Sequence, residues 1–243
     1  MGQLDGKIAL VTGSSRSIGK AIAIALAKEG ASLVLAARGA ENLNATAKEI
    51  KALKRDVEVV PTDVMIEAQI DNLFQKTMKR FGRLDILVNN SGIFNGGPID
   101  KISTQDWDDV IATNLRAAFL CTRAAFGIMK AQGGGRIINI GSISASRVRQ
   151  GNAPYSSAKF GLVGLTHTTA LEGREFNITC GILHPGNVER DTDPVKEAAG
   201  RAEPKMKQES IAAAAVFMAC QPPDVNVLEI IQLPKDQLYL GRG

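Results

Sequence analysis

Tyr155 and Lys159 stand four residues apart in Tyr155-Ser156-Ser157-Ala158-Lys159. On a helix that spacing places a phenol and an ammonium on one face, one turn apart. A free phenol, with a pKa of about 10, is a poor base at neutral pH. A positive charge nearby favours the phenolate and makes it a usable proton carrier. Ser142 precedes this pair and offers a hydroxyl that can bond a substrate oxygen. A lone Tyr-x-x-x-Lys pair is a common accident of exposed helices. It gains meaning from a second signal near the start of the chain.

That signal is Thr12-Gly13-Ser14-Ser15-Arg16-Ser17-Ile18-Gly19, which follows the apolar run KIALVT. Small residues let a backbone approach a pyrophosphate, and the next helix supplies N–H groups with partial positive charge. A tight turn needs the same residues, but the place at the opening of the first βα unit favours a nucleotide site. Gly13, Ser15, Arg16, Ser17 and Ile18 are its candidate contacts. Sites for NAD usually carry Asp or Glu at the end of the second strand, to bond the ribose 2′-OH. Here the chain reads Ala36-Ala37-Arg38, with no acid before Glu41. Arg38 and Arg16 suit a 2′-phosphate, because guanidinium makes charge-assisted bidentate bonds. NADP(H) is therefore expected over NAD(H).

The elements that must position these residues alternate. Short apolar runs at 7–12, 32–37, 57–60, 84–89, 136–140, 178–183 and 228–233 read as strands. Helical patterns cover 18–28, 41–53, about 66–81, 104–130, 154–172 and 210–220. Pro154 falls in a first turn, where proline is tolerated. Strands joined by helices imply a parallel sheet covered on both faces. The expected fold class is α/β, a doubly wound Rossmann arrangement in a single domain over 1–243. Residues 187–208 break the pattern and read as an irregular or short-helical substrate flap.

With these pieces in order, the chain resembles the short-chain dehydrogenase/reductase family from about Leu4 to Val188. The shared motifs are Thr12-Gly13…Gly19, Asp63-Val64, Asn89-Asn90-Ser91-Gly92, Asn114, Ser142, Tyr155…Lys159 and Pro185-Gly186. The resemblance implies seven parallel strands in the order 3-2-1-4-5-6-7 and a homotetramer or homodimer. It implies reversible hydride transfer between NADP(H) and a ketone or secondary alcohol. Tyr155 would exchange the proton. Lys159 would support it and bond the nicotinamide ribose. Ser142 would orient the substrate oxygen, and Asn114 would hold a water leading to Lys159. Asp63 and Val64 would border the adenine, and Asn90, Ser91 and Gly92 the adenosine ribose. Pro185, Gly186 and Val188 would border the nicotinamide.

Three positions depart from the family pattern. Ser17 replaces the usual second glycine of the turn and would be strained at positive φ. Arg190 stands where a threonine often bonds the carboxamide, with Thr192 two residues on. The tail from Leu228 to Gly243 lacks the glycine-rich ending common in acyl-carrier-protein ketoreductases. A 3-oxoacyl-thioester reductase therefore stays an alternative, as does a catalytically idle NADP(H)-sensing protein.

Other residues read more plainly. His167 and His184 are packing or local hydrogen-bonding residues, and Trp107 anchors a helix start. Arg147 and Arg149 are solvated charges. No His/Cys/acid cluster has metal-ligand spacing, so no metal is expected. The net charge of +4 comes from scattered basic residues, which argues against nucleic-acid partners. Three cysteines, none in a C-x-x-C pair and unable to pair completely within one chain, and the lack of a secretory signal or long apolar stretch point to the cytoplasm, away from membranes. The substrate pocket is expected from 93–98, 143–152 and 187–208.

Overall fold

The computed structural model describes residues 2–189 and 203–239. Among them, seven strands form one sheet: β1 (Ile8–Thr12), β2 (Ser32–Ala37), β3 (Val57–Pro61), β4 (Ile86–Asn89), β5 (Gly135–Ile140), β6 (Ile178–Pro185) and β7 (Glu229–Gln232). Every pairing is parallel, and the order is β3-β2-β1-β4-β5-β6-β7. Class, strand number and order are those expected from the sequence. Winding reverses between β1 and β4, and a reversal of this kind opens a crevice at the carboxyl ends of the strands.

The interior strands are continuous apolar runs because both faces are covered. Side chains still alternate between the two faces. Ala9 and Val11 of β1, with Leu33 and Leu35 of β2, pack against one set of helices. Those are α1 (Ser17–Lys28), α2 (Ala40–Ala52) and α7 (Gln208–Ala219), which contribute Ile22, Leu26, Leu43, Ile50 and Ile211. Ile8, Leu10, Val34 and Ala36 face the other way, against α3 (Glu67–Phe81) and α5 (Ala117–Gln132). The helices end where chemistry permits. Gly82 and Gly133 close α3 and α5 in the left-handed conformation, where a side chain is strained.

The helical pattern at 104–130 is one run in sequence but not in structure. It divides into α4 (Thr104–Ile111), a π-helical turn (Ala112–Arg116) and α5. Ser103 starts it by accepting the Asp106 N–H at 3.0 Å. Asn114, inside the π turn, bonds the backbone of Ile93 with both ends of its amide, at 2.8 and 2.9 Å. Such widened turns occur where a side chain commits to a bond outside the helix.

Helix α6 (Ala153–Gly173) carries Pro154 in its first turn. A buried polar chain ties it to the sheet. Asn89 donates to Thr122 and Asn139, and Asn139 donates to Thr166 of α6 at 2.8 Å. The ends of the expected flap pair with each other: Val188 bridges Met206, and Met206 N donates to Asn187 O at 2.9 Å. Residues 190–202, with Arg190 and Thr192, lie outside the described residues, as do the tail residues 240–243. Among the described residues no helix is long and apolar enough to cross a membrane.

Candidate active site

Most of the sequence-predicted site residues lie just beyond the carboxyl ends of strands. Gly13, Ser15 and Arg16 follow β1, Arg38 follows β2, and Asp63 and Val64 follow β3. Asn90, Ser91 and Gly92 follow β4, Ser142 follows β5, and Gly186 and Val188 follow Pro185 at the end of β6. Ser17 and Ile18 open α1.

The turn after β1 is cross-linked to the loop after β4. Thr12 Oγ1 accepts from Asn90 N at 3.0 Å and Ser91 N at 3.1 Å. The Asn90 amide donates to the carbonyls of Thr12 and Gly13, at 2.9 and 3.2 Å. Gly13 has φ +66°, and its missing side chain leaves room for Asn90. Gly19 is tighter: a Cβ there would strike the Gly13 carbonyl oxygen and the Asn90 amide. Ser14 is buried and bonds the Ala36 backbone across to β2. The crevice edge is thus pre-shaped for close approach of a ligand. Ser17 holds φ +52°, the left-handed region, so the strain expected of a serine in place of glycine is present.

These features fit a dinucleotide phosphate. Among the described residues neither Arg16 nor Arg38 forms an ion pair, and both are exposed at the rim. No carboxylate ends β2. Asp63 uses Oδ1 to accept Met65 N at 3.0 Å, which fixes its loop, and Val64 is buried beneath it. Replacing Gly19 by alanine is expected to weaken NADPH binding by at least about tenfold, or 1.4 kcal/mol. Fluorescence titration of the purified variant measures this, and wild-type affinity would contradict the packing argument.

The chemical groups gather at the end of β5. Lys159 is 4 % exposed, and its Nζ donates to Ile140 O at 2.8 Å. Burial pushes the ammonium pKa down to about 8. The Nζ lies 5.6 Å from the centre of the Tyr155 ring, one turn earlier on α6. Phe94 meets that ring edge-on at 5.5 Å. Tyr155 is the third residue of α6, where the helix end adds partial positive charge. Ser142, two residues past Ile140, caps a short turn (Ile143–Ala145): its Oγ accepts Ser144 N at 3.1 Å. The hydroxyl proton stays available for another acceptor.

Asn114 bonds the Ile93 backbone through both ends of its amide. Its evident effect is to fix the loop after β4 against the π turn. Arg149, about half exposed, pairs with Glu203 at 2.7 Å, and Glu203 also accepts from Asn187. Arg147 stacks over Tyr239.

Three contributors were given no part in the site by the sequence reading. His184 contacts the Ser142 backbone. Gln237 accepts Asn187 N at 2.9 Å and packs where a Cβ on Gly186 would lie. Tyr239 reaches Ser146 at 2.7 Å. The tail thereby crosses the rim from Gly186 to the loop after Ser142. A cavity of about 430 Å³ lies beside the site, lined by Ile99, Val148 and Phe160 among others. It draws on two of the three segments expected for the substrate, but Ser142, Tyr155 and Lys159 do not line it.

Comparison with known proteins agrees with this layout. The family model described as short chain dehydrogenase matches residues 7–201. An uncharacterized oxidoreductase of Staphylococcus haemolyticus is 33% identical over 234 residues, covering 96% of this chain and 100% of that protein. A 3-oxoacyl-acyl-carrier-protein reductase of Synechocystis is 38% identical over 192 residues, covering 79% and 78%. A crystal structure of a metagenomic short-chain oxidoreductase in complex with NADP superposes with a TM-score of 0.84 at 33% identity, covering 96% and 98%. The chain belongs to the short-chain dehydrogenase family and is, by that membership, an oxidoreductase.

Proposed function

We propose that this protein interconverts a ketone and a secondary alcohol with NADP(H), using Tyr155 as the proton-transfer group. The observation that carries the reading is the convergence of Lys159 and Ser142 on the end of β5, with Tyr155 one turn from Lys159. When bound, the dinucleotide would supply or accept the hydride. Tyr155 gives its proton to the carbonyl oxygen in reduction and takes it back in oxidation. Lys159 and the start of α6 stabilise negative charge as it develops on the Tyr155 oxygen. Lys159 also bonds the nicotinamide ribose. Ser142, its Oγ already accepting Ser144 N–H, donates to the substrate oxygen and holds it in reach. Asn114 keeps the Asn90–Ile93 loop in place under the cofactor.

Gly13, Ser15, Arg16, Ser17 and Ile18 take the phosphates in this reading. Asp63 and Val64 border the adenine, Asn90, Ser91 and Gly92 the ribose, and Pro185, Gly186 and Val188 the nicotinamide. NADP(H) is favoured over NAD(H) by Arg38 and Arg16 and by the missing acid after β2. One relative solved with NADP supports the same choice. Replacing Arg38 by aspartate should lower the ratio of kcat/KM for NADPH over NADH by at least about tenfold, since charge-assisted bonds contribute roughly 1.5–3 kcal/mol. An unchanged ratio removes Arg38 from this role. A homodimer or homotetramer in the cytoplasm completes the reading. Phe119, Phe160 and Phe217, about half exposed, are apolar side chains that such contacts would cover.

A panel of ketones with NADPH tests the activity directly. A 3-oxoacyl thioester belongs in the panel, because one relative is a reductase of that kind. Binding of NADPH without turnover on any member would favour an idle sensing protein instead.

A further inference from the structure

His184 sits one residue beyond the last β5–β6 pair, Ile140 with Leu183, and so lies beside Gly141. A Cβ on Gly141 would stand 2.5 Å from His184 Nδ1, so glycine there is what admits the ring. The imidazole is buried, at 3 % exposure. Ser142 is fully extended, with φ −171° and ψ 155°. An extended residue turns its own N–H and C=O to the same side. Both meet Nδ1: Ser142 N lies at 3.2 Å and Ser142 O at 2.8 Å.

One ring nitrogen cannot serve both. Bare, it accepts the N–H; protonated, it donates to the carbonyl. The other nitrogen decides between them. Glu229 pairs with Ile182 and Ile231 with His184, so Glu229 and His184 share a sheet face. Glu229 Oε1 lies 3.3 Å from Nε2, which makes no other polar contact and no well-aligned hydrogen bond. A bare Nε2 would face the full charge of that carboxylate, whereas a bare Nδ1 faces only the partial charge of the Ser142 carbonyl and gains the Ser142 N–H.

We propose that His184 is a positioning residue for Ser142: Glu229 holds the imidazole in its Nε2–H form, and the bare Nδ1 accepts the Ser142 N–H. The claim rests on the role assigned to Ser142 above. Burial holds the His184 pKa below its ordinary value, so the ring is neutral at pH 7. The Ser142 carbonyl and Glu229 favour the charged ring, and Lys159 and His167 oppose it. Protonation in acid would trade the Ser142 N–H bond for one to Ser142 O. The 2.8 Å approach of that carbonyl is the contact this trade would turn into a bond.

The chain has two histidines, so the ring is accessible to direct measurement. Nitrogen-15 spectra of histidine-labelled protein, assigned with His167→Gln, report the tautomer without any turnover. The Nε2–H form at neutral pH is expected; an Nδ1–H form overturns the proposal. Glu229 is partly exposed, so its variants should fold. Glu229→Leu should raise the Nδ1–H population and lower kcat about tenfold with the KM for NADPH unchanged, the loss of one positioning bond. Glu229→Gln, whose amide oxygen keeps partial negative charge facing Nε2, should restore both. A shifted tautomer with unchanged kcat would overturn the link to Ser142. If the wild-type protein reduces no carbonyl, the reductase reading fails while the tautomer measurement still stands.

Discussion

Replacing Tyr155 by phenylalanine is expected to lower kcat by about 10²–10⁴-fold, the range removed with a general acid–base group. The change deletes one hydroxyl from a half-buried ring. The ring keeps its edge contact with Phe94 and its place over Lys159. The affinity for NADPH should therefore stay within about threefold of wild type, a difference of roughly 0.6 kcal/mol. Steady-state turnover and a binding titration on the same preparation separate the two quantities. A phenylalanine variant that turns over near the wild-type rate would mean another group moves the proton.

The second large effect concerns Lys159 and has an unusual sign for stability. Its pKa falls from 10.5 to about 8 because its charged form is buried. At neutral pH the folded protein carries that charge at a cost. This contribution to stability improves as pH rises from about 8 toward 10.5, where the unfolded chain still binds the proton and the folded one does not. Replacement by methionine removes the cost, roughly 3 kcal/mol, but leaves the Ile140 carbonyl without its donor, at about 1–3 kcal/mol. The two nearly offset. Lys159→Met should shift stability by less than about 2 kcal/mol in a urea titration and lower kcat by about 10²–10⁴-fold. A variant that unfolds would show that the lysine is a structural prop. In the wild type, reduction should slow as pH rises through about 8, as the ammonium beside Tyr155 is lost.

The fold was readable because its interior strands are buried on both faces. The runs IALV, LVLAA and ILV at their centres stay apolar, without the alternation of a half-exposed strand. The π turn was not readable. Apolar spacing runs through 104–130 without a break, and the widening comes from a bond between Asn114 and Ile93, which are distant in sequence. Ser17 was legible as a position of strain, since its place in the turn and its residue type were both visible. The positive φ follows from the turn's geometry.

The site was legible where its residues share one helix or one turn, as Tyr155 and Lys159 do. It was opaque where strand register makes the contact. His184 read as a packing or local hydrogen-bonding residue, and that its partner is Ser142 depends on which strands are neighbours. Gly141, the residue after β5, is the glycine that admits the ring, but only the strand register sets it opposite His184. Gln237 and Tyr239 belong to a tail with no periodicity. Their contacts with Asn187 and Ser146 arise from tertiary packing alone.

The most direct test of the central claim uses NADPH deuterated at the transferring carbon of the nicotinamide, mixed with the ketone and thioester panel. The geometry of Ser142, Tyr155 and Lys159 predicts an alcohol product carrying deuterium on its carbinol carbon, formed by wild-type protein and suppressed in Tyr155→Phe. Protein that binds NADPH but labels no product, or Tyr155→Phe protein that labels it as fast as wild type, would contradict the account.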